Sequence, residues 1–179
     1  IKWNGGVVMD TAIILAGGKS TRMGSDKQFL VVDDQWLLEQ IASQLEQLFA
    51  KIIIVTNKPE QYKNTPYVIV QDRIKGYGPV GGIHAGLKSS NSLYNYIIAC
   101  DMPFININYI NYMRKIIHAS PEAIDGVVTR LGKWLEPFNA FYSRNLIGKI
   151  EENMKLKKRM AISVFEGSNM VYVEEEKAR

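Results

Sequence analysis

The run Leu15-Ala16-Gly17-Gly18-Lys19-Ser20-Thr21-Arg22-Met23-Gly24-Ser25-Asp26-Lys27 has the composition of a phosphate cradle. Glycines let backbone N–H groups approach a polyphosphate closely and tolerate the dihedrals that such a loop needs. Arg22 and Lys27 add positive charge along a phosphate chain, the first as a fork onto two oxygens, the second as a compact point charge. Two familiar glycine motifs are absent. A P-loop ending at Gly18-Lys19-Ser20 would need glycine at Ile13, and the dinucleotide pattern fails on the adjacent Gly17-Gly18 and on Thr21 in place of its last glycine.

Asp101 is the candidate metal ligand. It follows the apolar run Ile97-Ile98-Ala99-Cys100, and Mg²⁺ takes hard oxygen ligands, typically one or two carboxylates with substrate phosphates and water. The competing role is a cap for the following turn. Asp72 and Asn57 each close another apolar run. Gly81 and Gly82 are expected to open a helix whose N–H groups could face an anion, or to permit tight packing. His84 is read as structural.

The elements that must position these residues alternate in type. Short β-branched runs predict strands at 11–15, 51–56, 67–71 and 94–100, the first stopped by Ala16-Gly17-Gly18. Apolar residues at helical spacing predict helices over 36–49 and 108–119, and a shorter one over about 83–88 follows a glycine-rich turn at 76–82. Two further strands, 126–130 and 135–141, are joined by a turn at Leu131-Gly132-Lys133; a helix over 144–154 and a strand near 170–173 complete the chain. Such alternation specifies an α/β fold: one doubly wound, mostly parallel sheet with helices on both faces, in a single domain. Ligands of such sheets bind beyond the carboxyl ends of the strands, where strand order reverses. Gly17, Asn57, Asp72 and Asp101 all fall on that edge.

Three stretches carry a family resemblance. The loop LAGGKSTRMGSDK is similar to that of the molybdenum cofactor guanylyltransferases, within the nucleotidyltransferases that begin L-x-x-G-x-x-x-R-M-x-x-x-K. Gly78-Pro79-Val80-Gly81-Gly82-Ile83-His84-Ala85-Gly86-Leu87 resembles that family's GPLAGIHAGL, and Ala99-Cys100-Asp101-Met102-Pro103-Phe104 its CDMPF strand end. The resemblance implies a Rossmann-like fold and transfer of GMP from Mg-GTP to the terminal phosphate of molybdopterin or the molybdenum cofactor, with release of pyrophosphate. It implies nucleotide contacts at Leu15, Ala16, Gly17, Gly18, Lys27, Asn57, Asp72 and Asp101, Mg²⁺ on Asp101, and catalytic roles for Arg22, Lys27 and Asp101. On the acceptor side it implies Gly81, Gly82, Glu136 (in Glu136-Pro137, similar to the family's EPL stretch), Lys158 and Arg159, the last two in a basic loop. The nucleotide half would span about 9–119 and the acceptor half about 120–179. Proteins of molybdenum cofactor synthesis are the implied partners, and the chain is expected as a monomer or weak oligomer. The chain ends Val171-Tyr172-Val173-Glu174-Glu175-Glu176-Lys177-Ala178-Arg179, where family members carry an NINTPED-like segment. It is therefore read as truncated, or as different in its acceptor pocket. Two alternatives stay open: a related CTP- or sugar-phosphate nucleotidyltransferase, and a non-enzymatic nucleotide-binding adaptor.

Composition narrows the field. The 179 residues suit one domain, with 46% apolar and 22% charged residues, as in ordinary globular proteins. No run of about 18 apolar residues occurs, so no membrane span is expected. A net charge of +4, from 22 basic and 18 acidic residues, suits phosphate handling but is too diffuse to predict nucleic-acid binding. Cys100 is the one cysteine, which excludes an internal disulfide and favours a cytoplasmic setting. Residues 1–8 lack the features of a signal peptide, and Met9 is a candidate natural start, making them a non-native leader.

Overall fold

In a computed structural model, residues 8–16, 31–32, 35–62, 64–72, 74 and 76–177 are described. Gly17, Gly18, Arg22 and Lys27, and residues 1–7 of the expected leader, lie outside them.

The sheet is organised around strand β1 (Thr11–Leu15), which is buried along its whole length. Its β-branched and apolar residues suit a strand covered on both faces. It pairs in parallel with β4 (Lys51–Thr56) on one side and β6 (Tyr94–Ala99) on the other, with Leu15 opposite Val55 and Ala99. Beyond β4 lies the edge strand β5 (Val68–Gln71). Beyond β6 come β8 (Trp134–Ser143), β7 (Gly126–Leu131) and β9 (Met170–Glu174), giving the seven-stranded order β5-β4-β1-β6-β8-β7-β9. Only β8 runs against the rest, so the sheet is mostly parallel, as expected. Two short strands, β2 (Val31–Val32) and β3 (Gln35–Trp36), form a separate hairpin that the sequence pattern did not predict.

Side chains alternate across a strand, and here the alternation builds two core layers. Ala12 and Ile14 of β1 face one layer with helices α1 (Leu37–Leu45) and α3 (Ile107–Ala119). Ile13 and Leu15 face the other, with α2 (Gly78–Ser89) and α4 (Leu146–Lys155). The helices therefore cover both faces. In the first layer the rings of Phe49, Tyr96 and Phe141 cluster, with centroids 5.5 Å apart for Tyr96 and each neighbour. Buried Arg114 from α3 stacks its guanidinium 4.3 Å from the Phe49 centroid and donates to the carbonyls of Met9 (3.2 Å) and Leu48 (2.8 Å), tying three segments together.

Element boundaries depart from the pattern in three places. The helix expected over 36–49 is confined to Leu37–Leu45, and Trp36 belongs to β3. The glycine-rich turn at 76–82 gives way at Gly78, where α2 begins with Pro79 in its first turn, so Gly81 and Gly82 lie inside a helix instead of opening one. Strand β8 extends to Ser143 through an irregularity that includes Asn139 at φ 57°. Composition alone reads Gly-Tyr-Gly-Pro-Val-Gly-Gly as a loop; packing against the sheet overrides that propensity.

The packing responsible is a close approach at Gly86. A Cβ there would lie 2.6 Å from Ile13 Cγ2, 3.1 Å from Ile13 Cδ1 and 3.3 Å from Val55 Cγ2. Ile13 is fully buried, so it has no open space to enter. Gly86→Ala is expected to force α2 off the sheet at a cost of about 1–3 kcal/mol, read as a fall of several degrees in melting temperature at roughly 2–4 °C per kcal/mol.

Candidate nucleotide-binding active site

Strand order reverses between β1 and β6. From β1 the chain proceeds outward through β4 to β5; from β6 it proceeds the other way. The loops leaving the carboxyl ends of β1 and β6 therefore part, and a crevice opens between them. Backbone hydrogen bonds continue the ladder up to that crevice: Ala16 N–H donates to Val55 O (2.8 Å) and Cys100 N–H to Leu15 O (3.1 Å). Leu15 and Ala16 are buried, so their side chains belong to the core and their backbone forms the crevice floor. Asp101 sits in the turn after β6, closed by Met102 N–H donating to Ala99 O (3.2 Å), with its side chain exposed. Cys100 is half-buried and packs on the α1/α3 layer.

Parallel strands carry the next two candidates to the same edge. Asn57 follows β4 and is exposed, in a turn where Lys58 N–H donates to Thr56 Oγ1 (3.1 Å). Asp72 follows β5 and is half-buried; its Oδ1 accepts from Ile74 N–H at 3.0 Å. Burial pushes the Asp72 carboxyl above its usual range, against the opposing effects of that hydrogen bond and of nearby His84. The carboxylate lies directly over Gly81 of α2, with Oδ2 2.5 Å from where a Cβ would be. The neighbouring Gly82 packs on Leu15, whose Cδ2 would be 3.3 Å from a Cβ at that position. The candidate acceptor contacts Gly81 and Gly82 are thus buried against the nucleotide side of the fold.

Glu136 reaches the edge by a different route. Because β8 is antiparallel, its amino end lies beside the carboxyl ends of the others. Glu136 is half-buried, and its Oε1 accepts from Phe138 N–H at 3.1 Å. Burial raises its carboxyl above the usual range, the Phe138 hydrogen bond lowers it, and repulsion from Asp101 raises it again. Glu136 and Asp101 therefore face the same space. The basic loop also returns there: α4 runs back from the far end of β8, and Tyr77 O–H, just before α2, donates to Met154 O at 2.7 Å. In that loop Lys158 is paired with Glu166 (Nζ···Oε2 2.6 Å), which offsets its charge, while Arg159 is exposed.

One cluster has no counterpart among the sequence expectations. His84 Nε2 lies 2.9 Å from Glu151 Oε1 of α4, and Lys88 Nζ lies 3.1 Å from the same oxygen. His84 and Lys88 share a helix face at one-turn spacing, which the sequence does show. Their partner sits 67 residues from His84 and 63 from Lys88, and no local pattern announces it. His84 and Lys88, with Asp72 and Ile74, line a cavity of about 400 Å³ between β5 and α2.

Comparison with known proteins agrees with this geometry. Residues 12–169 match the MobA-like NTP transferase domain. The chain belongs to the MobA-like nucleotidyltransferase family. A probable molybdenum cofactor guanylyltransferase of Peptoclostridium acidaminophilum is 47% identical over 172 residues, covering 94% of this chain and 78% of that protein. A molybdenum cofactor guanylyltransferase of Syntrophotalea carbinolica is 50% identical over 169 residues, covering 94% and 80%. In fold, the chain is similar to the crystal structure of molybdopterin-guanine dinucleotide biosynthesis protein A from Archaeoglobus fulgidus, with a TM-score of 0.80 at 22% identity over 94% of this chain and 85% of that one. As a MobA-like nucleotidyltransferase the chain is an enzyme, and its Rossmann-like sheet is the fold that the sequence pattern specified.

The raised carboxyl of Glu136 has a measurable consequence. In the folded chain it binds its proton more tightly than in the unfolded one, so its contribution to stability is present below the usual carboxylate range and is lost as pH rises through the raised value. Glu136→Gln removes that loss. The variant is expected to melt above the parent at neutral pH, with the difference shrinking as pH falls below the ordinary glutamate range; thermal melts across pH check it.

Proposed function

We propose that this MobA-like nucleotidyltransferase transfers GMP from Mg-GTP to the terminal phosphate of molybdopterin or the molybdenum cofactor. The observation that carries the reading is that Ala16, Asp72, Asp101 and Glu136 belong to one edge of the sheet, with Ala16 and Asp101 on either side of the point where strand order reverses. The names of the relatives at 47% and 50% identity support GTP as donor and the pterin phosphate as acceptor.

A terminal phosphate oxygen of the acceptor attacks the α-phosphorus of GTP; the bond from that phosphorus to the bridging oxygen breaks, and pyrophosphate leaves. The attacking phosphate is already anionic, so no strong general base is needed. Alignment and charge neutralisation carry the rate. Backbone at Leu15, Ala16, Gly17 and Gly18 is assigned to the phosphates, with Arg22 and Lys27 as the cations that hold and align them. Asn57 and Asp72 are assigned to the nucleoside. Asp72 suits guanine, because a carboxylate accepts two adjacent N–H donors.

The donor set fits a hard divalent ion. Asp101 is exposed at the end of β6, and Glu136 adds negative charge near it. That matches Mg²⁺, which shares its coordination between one or two carboxylates, phosphates and water. Bound there, it would neutralise charge on the triphosphate and on the departing pyrophosphate. Asp101 is its assigned ligand. Glu136, Arg159 and Lys158 are assigned to the acceptor side, Arg159 as the more available cation because Lys158 is paired with Glu166. The nucleotide half, about 9–119, and the acceptor half, about 120–179, meet along β6 and β8. The working location is the cytoplasm, beside the proteins that make the cofactor, with the chain as a monomer or weak oligomer.

Pyrophosphate release, measured with molybdopterin and each of ATP, CTP, GTP and UTP, tests the assignment. GTP is expected to support release; release with CTP alone would make the chain a cytidylyl-transferring relative, and GTP binding without release would make it an adaptor. Asp101→Asn is expected to lower turnover by about two orders of magnitude or more at saturating magnesium, and near-normal guanylyl transfer would remove Asp101 from the metal site.

A further inference from the structure

We propose that Gly81 is a positioning residue for Asp72, and that its missing side chain sets how tightly the nucleotide is held. The inference rests on the nucleotide reading of Asp72 given above.

Geometry carries it. A Cβ on Gly81 would stand 2.5 Å from Asp72 Oδ2, 2.9 Å from Oδ1 and 3.0 Å from Cγ. Both oxygens lie closer than a real Cβ contact allows and Cγ stands at the limit, so an alanine there would make the carboxylate shift from this position. Its present place is held from the other side by Ile74 N–H, which donates to Oδ1 at 3.0 Å. The space that an ordinary helix residue would fill is therefore occupied by the carboxylate.

The surroundings leave that carboxylate in a defined state. It lies against the first turns of α2, in the cavity that it shares with His84 and Lys88. Both of those side chains are engaged with Glu151 of α4 and are held away from a direct pair with Asp72. Asp72 feels the charge of His84, and because Oδ1 is the oxygen that accepts from Ile74 N–H, Oδ2 is the one that a ligand's donors would meet. Gly81 takes the place of the alanine in the GPLAGIHAGL pattern.

The contact and its consequence are read separately. Four proteins are compared: the parent, Gly81→Ala, Asp72→Ala and the double variant. Melting temperature reads the contact without any ligand. Gly81→Ala should lower it in the parent, where the carboxylate is displaced, and raise it by a few degrees in the Asp72→Ala background, where alanine simply favours the helix. Equilibrium binding of the magnesium triphosphate that the parent binds best, measured by titration calorimetry without acceptor, reads the consequence. Gly81→Ala should weaken it on the order of tenfold, the value of one hydrogen bond to a charged group, and should change it less than about twofold once Asp72 is alanine.

Unchanged triphosphate affinity in Gly81→Ala overturns the proposal and returns Gly81 to the acceptor side. An equal loss in both backgrounds also overturns it, since Gly81 would then act without Asp72. A parent that binds a triphosphate while Asp72→Ala binds it equally well removes the nucleotide role of Asp72 itself. That failure of the underlying reading is distinct from a failure of the Gly81 contact, which the melting cycle decides.

Discussion

Everything in this molecule depends on how the carboxyl end of β1 is held. Leu15 and Ala16 are fixed laterally by hydrogen bonds that involve Val55 on one side and Cys100 on the other. Both flanking strands run the same way as β1, so all three release their loops at one edge. Because the chain leaves β1 toward β5 and leaves β6 in the opposite direction, nothing in the sheet fills the gap between those loops. Backbone N–H groups and carboxylates on rigid strand ends surround a space that they did not have to be bent to reach. An enzyme whose chemistry is alignment and charge neutralisation needs little else.

The second half of the sheet solves a different problem. An additional parallel strand beside β6 would have sent its amino end away from the crevice. The antiparallel β8 brings its first residues to the crevice instead, and Glu136 arrives beside Asp101. Burial raises the cost of ionising Glu136, and the Asp101 charge facing the same space adds to it. Such a site is less stable than a neutral one of the same shape. It becomes favourable when a cation shares the space, which is why a divalent ion fits these residues better than a bare pair of acids does. The α2/α4 side shows the opposite balance: Glu151, half-buried and held by His84 and Lys88, has its carboxyl below the usual range.

Helix α2 joins these two halves. Its glycines lower it onto β1 and β4 at Gly86, and the same closeness at Gly81 leaves room for the Asp72 carboxylate. Tyr77 and His84 then fasten its beginning and its middle to α4, the helix that ends in the basic loop. One helix thus touches the Asp72 carboxylate at one side and α4, which leads into the basic loop, at the other. Small residues on its inner face are what make both contacts possible.

What the sequence determined by itself was everything that local chemistry encodes. The apolar runs at 11–15, 51–56 and 94–99 could only be buried strands, and α3 announced itself by Ile110, Met113 and Ile117 at helical spacing. The edge on which Asp72 and Asp101 lie was legible because each follows an expected strand, 67–71 and 94–100, and in an α/β sheet that alone fixes it. The phosphate cradle expected over 17–27 rests on composition, and it lies outside the described residues. Tertiary structure decided the rest. Gly78 to Gly82 read as a turn, because glycine and proline weaken a helix, and became helical only through contact with the sheet. The neighbourhood of Glu136 and Asp101 depends on the direction of β8, and the pairing of His84 with Glu151 joins residues 67 apart. The role of Gly81 depends on where a carboxylate from another element comes to rest. Those are long-range relations, and a local pattern of residue types has no means to specify them.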